Sequence, residues 1–278
     1  FALLAKGMGI GPLTVVATAA ARDASDGPDF QAEVLRETGL RLWVVDGPEE
    51  ARLSAQGVLL GWPEAKGIVC DIGGNSMELA LIGDGQVGTR VSTQLGPFRL
   101  ARISDDRKVR IAHIDQVLAE CQAKLQSEGQ RIYLVGGSWR VIARLDMERR
   151  KYPMTVLHEY RMTPEDLLQT LDWIAKSDLE DLRQRTGTSQ ARMELVPLAC
   201  EVMRELITVL KPSEIDVSSY GIREGLLYEQ MPPRLRARDP LIEAARSVEK
   251  TMSRIPGFGK KLYEFLLPLF EGATPDRI

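Results

Sequence analysis

The chain has 278 residues, 44% hydrophobic and 27% charged, with a formal net charge of −3. That composition is globular, excludes a disordered chain, and offers no basic surface for DNA or RNA. No apolar run reaches the roughly 18 residues of a membrane span and no signal peptide is visible, so a cytoplasmic protein without membrane contact is expected.

Leu13-Thr14-Val15-Val16-Ala17-Thr18 is a β-branched run and predicts a strand. The small residues 19–24 predict a helix. Residues 29–38 predict a second helix, closed by Gly39, and residues 40–45 the next strand. Gly47-Pro48-Glu49-Glu50 opens a helix that runs to Gln56, with proline early and acids in its first turn. Three strands follow over 67–72, 78–82 and 86–93, paired antiparallel, with Gly83-Asp84-Gly85 as the second turn. Gly96-Pro97 reads as the end of this unit. Next come an amphipathic helix over 115–126, a strand over 131–135 that runs into Gly136-Gly137-Ser138, and a helix over 138–149. Thr163-Pro164-Glu165 starts a helix with a threonine cap. Residues 191–210 predict a long apolar-faced helix, interrupted or begun anew at Pro197. Residues 214–218 read as a strand and 221–231 as a helix. Pro232-Pro233 reads as a linker, with helices over 240–252 and 259–270 beyond it. Three antiparallel strands followed by strand–helix alternation form a ribonuclease H-like pattern, an α/β class with an all-α C-terminal segment. Cys70, Cys121 and Cys200 lack metal-ligand spacing and read as reduced thiols.

The chemistry concentrates in Val69-Cys70-Asp71-Ile72-Gly73-Gly74-Asn75-Ser76-Met77-Glu78. An apolar strand ends in an acid, a Gly-Gly-Asn-Ser turn follows, and a second apolar strand carries another acid. Glycines let backbone approach a ligand closely, and turn amides form an anion nest. Asp71 and Glu78 add two carboxylates, a combination that suits phosphate with a divalent cation such as Mg²⁺. The plain alternative is a tight hairpin whose polar residues face water. Gly136-Gly137-Ser138 is a second glycine turn at a helix start, where free amides favour an anion. Glu49 and Glu50 open a helix, where acids are worth about 0.3–1 kcal/mol through the macrodipole alone. Helical neighbours point about 100° apart, so at most one of the pair faces a given cleft. Arg22 reads equally well as a solvated arginine, and Arg223-Glu224 as a surface ion pair. His113 and His158 have no metal or triad company.

Taken together, five segments resemble the exopolyphosphatase and guanosine pentaphosphate phosphohydrolase family (Ppx/GppA) of the actin-like ATPase superfamily. They are Val16-Ala17-Thr18-Ala19-Ala20-Ala21-Arg22-Asp23-Ala24, Gly47-Pro48-Glu49-Glu50-Ala51-Arg52-Leu53 with Gly57-Val58, the Asp71 to Leu79 loop, Val135-Gly136-Gly137-Ser138, and Tyr220-Gly221-Ile222-Arg223-Glu224-Gly225-Leu226-Leu227. The resemblance implies a two-domain actin-like fold. Residues 1–55 would belong to the first domain and 56–231 to the second, with 221–231 packing back on the first. Residues 232–278 would begin a helical domain. It also implies removal of a terminal phosphate from polyphosphate or a guanosine polyphosphate. In that reading Glu50 is the general base, and Asp71 and Glu78 hold Mg²⁺ (or Mn²⁺). Gly73, Gly74, Asn75, Ser76, Gly136, Gly137 and Ser138 bind phosphate, Arg22 contacts the polyanion, and Arg223 and Glu224 support the cleft.

The sequence departs from the family pattern at Asn75, in place of a third glycine, and at Met77, in place of the common threonine. Asparagine tolerates positive φ better than other non-glycines, so the turn is expected to survive. The family's Asp-x-Gly-Ser-Asn-Ser loop does not occur ahead of Val16, and both ends are expected to be truncated. An actin-like ATPase or sugar kinase is the second reading, with Trp139 expected to crowd its adenosine position. A non-catalytic binder of guanosine tetraphosphate or polyphosphate is the third. Homodimerisation through the appended helices is left open.

Overall fold

The structure, a computed structural model, describes residues 1–126 and 129–270. The chain end at Asp276-Arg277-Ile278 lies outside the described residues. In chain order the elements are α1 (Ala2–Gly7), β1 (Val15–Ala17), α2 (Ala19–Arg22), α3 (Gly27–Thr38), β2 (Leu42–Val44), α4 (Gly47–Gly61), β3 (Gly67–Ile72), β4 (Met77–Gly83) and β5 (Gln86–Thr93). They continue with α5 (Pro97–Ile103), α6 (Arg107–Leu125), β6 (Ile132–Val135), α7 (Gly137–Arg150), β7 (Tyr160–Met162), α8 (Pro164–Lys176), α9 (Leu179–Thr186), α10 (Gln190–Met193), α11 (Val196–Leu210) and β8 (Ile215–Val217). The last are α12 (Ile222–Gln230), α13 (Pro233–Arg236), α14 (Pro240–Met252) and α15 (Phe258–Leu266), closed by a 3₁₀ turn over Leu267–Phe270.

Six strands form one mixed sheet in the order β5-β4-β3-β6-β8-β7. β3, β4 and β5 pair antiparallel, while β6 and β8 join β3 in parallel. Side chains alternate between the two faces, as the strand period requires. Ile68, Cys70, Ile72, Met77 and Leu79 pack against Leu118, Trp139, Val202 and Leu206 of α6, α7 and α11. Val69, Ala80, Ile82 and Tyr133 pack on the other face against Ala51, Ala55 and Val58 of α4, with Tyr228 of α12. The sheet is thus the middle of three layers. β1 and β2 form a separate parallel pair ahead of α4.

α4 and α12 cross at very short range. A Cβ added to Gly57 would meet the Gly221 carbonyl oxygen at 2.2 Å, and one at Gly225 would meet the Leu53 carbonyl oxygen at 1.9 Å. Asp84 and Gly85 both take positive φ, the conformation of a tight hairpin turn, between β4 and β5.

Several sequence expectations change in detail. α5 begins at the supposed end, Gly96-Pro97, because proline at N1 opens a helix as readily as it closes a strand unit. α6 starts eight residues before the predicted 115, capped by Asp106, which accepts from the Lys108 amide. The linker Pro232-Pro233 leads into the short α13. β7 and α9 have no counterpart in the sequence reading. No helix among the described residues is long and apolar enough to cross a membrane.

Candidate active site

β3 and β4 pair in a register that sets Asp71 directly opposite Glu78, and β4 and β5 pair so that Glu78 faces Ser92. The three side chains therefore form one row on the α4 side of the sheet. Like charges directly opposite each other destabilise a sheet, so a retained acid pair needs a compensating partner. Glu78 is 1% exposed; Ser92 donates its hydroxyl to Oε1 at 2.9 Å, while Oε2 is buried without a hydrogen bond. Burial pushes the Glu78 carboxyl up to about 8, reinforced by the nearby Glu50 and Asp71 charges and opposed by the hydroxyls of Ser76 and Ser92. Burial also raises Asp71, against a hydrogen bond from Ser54 and the Arg140 guanidinium, which both favour its charge.

Glu50 lies in the first turn of α4 and is 6% exposed. Arg22 Nη1 donates to its Oε2 at 3.1 Å and to the Val45 carbonyl at 2.8 Å, so the guanidinium ties α2 to the start of α4. Burial raises the Glu50 carboxyl above the ordinary glutamate range, with Asp71 adding to the rise, and Arg22 and Thr18 hold it back. Glu49 turns away, accepting from Arg52 at 2.6 and 2.8 Å, and Arg52 also pairs with Glu229 at 2.6 Å. One member of the acid pair faces the carboxylates and the other clamps α12, as helical spacing requires.

The two glycine turns touch. Gly136 takes φ +110°, and a Cβ there would sit 2.4 Å from the Ile72 carbonyl oxygen and 3.0 Å from Asp71 Oδ1. Gly136 caps α7, so Gly137 and Ser138 are its first residues, and their amides lack helical partners at that end. In the first turn Gly73 N–H donates to the Ser76 carbonyl at 2.9 Å. Here the sequence argument for Asn75 is corrected. Neither Asn75 nor Gly73 nor Gly74 has a positive φ. Gly74 is crowded instead: a Cβ there would lie 2.7 Å from the ring of the exposed Phe98, and the Phe98 amide donates to the Gly74 carbonyl at 2.8 Å. Ser76 is 5% exposed, and its buried hydroxyl lies near the Glu78 carboxyl without meeting hydrogen-bond geometry.

The expectation that Trp139 crowds a ligand position is also corrected. Its ring is fully buried in the core on the α6–α11 side of the sheet. Arg223 is exposed, and Glu224 accepts from the Gly221 amide at 2.8 Å, closing the start of α12 rather than pairing with its neighbour. Three residues escaped the sequence reading: Ser92, which bonds Glu78, together with Ser54 and Arg140. Ser54, one turn after Glu50, hydrogen bonds Asp71 Oδ2. Arg140 donates to the Ser218 and Ser219 carbonyls at 3.3 and 3.0 Å, and it is attracted by Asp71 and Glu224. A position four residues after Glu50 was the available signal for Ser54. A cavity of about 640 Å³ between Lys66, Asp84, Tyr228 and Arg236 lies at the far end of β3 from these groups.

The chain matches the family described as Ppx/GppA phosphatase over residues 1–234. It belongs to that family. Exopolyphosphatase 1 of Mycobacterium leprae is 28% identical over 250 residues, which cover 83% of this chain and 71% of that protein. The crystal structure of the Aquifex aeolicus Ppx/GppA family member superposes with a TM-score of 0.68 at 22% identity, over 82% of this chain and 77% of that one. The exopolyphosphatase structure from Cytophaga hutchinsonii gives a TM-score of 0.71 at 18% identity, over 82% of this chain and 78% of that one. The shared fold is the α/β, ribonuclease H-like fold of the actin-like ATPases, with α13, α14 and α15 as the all-α end of the described chain. In this Ppx/GppA chain the family's acidic and glycine segments meet in one place.

Proposed function

We propose that the protein is a phosphohydrolase that releases the terminal phosphate of inorganic polyphosphate or of guanosine pentaphosphate. One observation carries the reading: Glu50, Asp71 and Glu78 converge beside two touching glycine turns, with Arg22 bonded to the Glu50 carboxylate. Family membership and exopolyphosphatase relatives support the same substrate class.

Glu50 is the general base. Burial makes it more basic than a surface glutamate, and Arg22 fixes its orientation. It takes a proton from water as that water attacks the terminal phosphorus, and the anhydride oxygen leaves with the shortened chain. Amides of Gly74, Asn75 and Ser76 and of Gly136, Gly137 and Ser138 take phosphoryl oxygens, as anion nests do; the expected Gly73 amide is instead committed to the Ser76 carbonyl and holds the turn closed. Arg22 also meets the polyanion. Arg223 and Glu224 support the cleft from α12.

The residues present fit a Mg²⁺ or Mn²⁺ ion. Glu78 keeps one buried, unpartnered oxygen, and Asp71 faces it directly across the two strands. No group of three or more side chains placed to hold a metal occurs among the described residues; Mg²⁺ is commonly held by one or two carboxylates plus substrate phosphate. When bound, the ion neutralises charge on the phosphoryl oxygens.

Domain division near residues 55 and 231, homodimerisation and a cytoplasmic location belong to the same proposal. The test is phosphate release from polyphosphate and from guanosine pentaphosphate by the full-length protein with Mg²⁺. ATP binding by calorimetry with no such release would favour an ATPase or sugar kinase instead. Binding of guanosine tetraphosphate without turnover would mark a non-catalytic relative.

A further inference from the structure

α4 lies over the carboxylate row with one stripe of its surface. Gly47, Glu50 and Ser54 are spaced i, i+3 and i+7, and so share a helix face. Along the sheet beneath them the row runs Ser92, Glu78, Asp71. Ser54 is fully buried and donates its hydroxyl to Asp71 Oδ2. Ser92 donates to Glu78 Oε1 at 2.9 Å. One oxygen of each carboxylate is thereby taken. On the other side, Asp71 Oδ1 lies beneath Gly136, and Glu78 Oε2 is buried with no hydrogen bond.

Gly47 explains how Ser92 reaches its place. Its φ is not positive, so no conformational demand requires glycine there. A Cβ at Gly47 would lie 2.3 Å from Ser92 Oγ and 2.4 Å from its Cβ. Any larger residue would push Ser92 off Glu78.

We propose that Ser54 and Ser92 are positioning residues that each fasten one oxygen of a carboxylate, so that Asp71 and Glu78 each present a single fixed oxygen to a divalent cation and its phosphate, with Gly47 admitting Ser92. The inference rests on the assignment of Asp71 and Glu78 as the cation-holding pair. A hydroxyl carries one proton to donate, so each serine is committed to its acid. Without that bond the carboxylate is free to turn about its terminal torsion, which is broad and roughly two-fold. Hydrogen-bond partners of metal ligands typically contribute about 10–100-fold in metal affinity or activity.

The experiment is calorimetric titration of the full-length protein with MnCl₂, alongside steady-state kinetics on polyphosphate. It compares wild type with Ser54→Ala, Ser92→Ala, Gly47→Ala and the Gly47→Ala/Ser92→Ala double variant. Each serine variant is expected to weaken Mn²⁺ binding about 10–100-fold and to lower kcat more than it raises KM, with the melting temperature near wild type. Gly47→Ala acts through Ser92, so the double variant is expected to be no weaker in Mn²⁺ binding than Gly47→Ala alone. Serine variants that bind Mn²⁺ as wild type does overturn the inference, as do additive losses in the double variant or a wild type that binds no Mn²⁺. A wild type that binds Mn²⁺ but releases no phosphate sinks the phosphohydrolase reading alone, and the Mn²⁺ comparison still decides the role of the serines.

Discussion

At the scale of single residues, the site is a set of carboxylates whose burial disfavours their charge. Glu78 titrates at about 8 in the fold, against an ordinary value of 4.5. The folded state therefore holds this proton more tightly than the unfolded chain. The stability this contributes is complete below 4.5 and is lost as pH rises through about 8. In metal-free protein, Glu78→Gln is expected to flatten the fall in melting temperature between about pH 5 and about pH 9. An unchanged pH profile would remove Glu78 from the account. Added Mg²⁺ is expected to raise the melting temperature of wild type at the alkaline end more than that of the variant, because ligand binding to the folded state stabilises it. Thiol chemistry gives a second check. Burial lifts Cys121 to about 11 and Cys200 to about 12, so little thiolate exists near neutral pH. An aromatic disulfide reagent is expected to label these cysteines slowly in the native protein and rapidly in guanidinium; fast native labelling would contradict their placement. How legible this scale was in the sequence depended on the residue. Asp71, Glu78 and Glu50 stand out because acids beside glycines and apolar strands are conspicuous. Ser54 and Ser92 do not, because a serine declares its role only when register and helix placement bring it to a carboxylate.

At the scale of elements, α4 is the part on which the site hangs. Its N-terminal face meets the carboxylate row, and its middle crosses α12 through Gly57 and Gly225. Both contacts are against backbone carbonyls, which cannot rotate aside. Gly57→Ala and Gly225→Ala are each expected to cost about 1–3 kcal/mol, read as a lower denaturation midpoint, because overpacking forces backbone to shift. A variant as stable as wild type would show that the helices separate freely. A second joint ties α7 to β7 and α8. Asp146 is fully buried and accepts from Tyr160 Oη at 2.5 Å, from the Thr170 hydroxyl, and from Arg149 at 3.3 Å. Most helices and strands could be read from caps and periodicity, α14 and the Thr163 cap of α8 among the plainest. β7 could not, since Tyr160–Met162 is three residues long and becomes a strand only by pairing with β8. The α4–α12 crossing was equally hidden, because a glycine inside a helix does not name the neighbour it admits.

At the scale of the molecule, a mixed sheet between helix layers carries both glycine turns at the same ends of adjacent strands, β3 and β6. The parallel register Asp71 to Val135 forces this, since each strand then delivers its following turn to one edge. α4 crosses over that edge and brings Glu50. The central claim is that this meeting of three acids is a hydrolytic site with Glu50 as its base. Phosphate release from polyphosphate, compared between the full-length wild type and Glu50→Gln in the presence of Mg²⁺, tests it most directly. The account predicts release by wild type and a loss of about 10²–10⁴-fold in kcat for Glu50→Gln, with KM little changed. A Glu50→Gln variant that keeps wild-type kcat would contradict it.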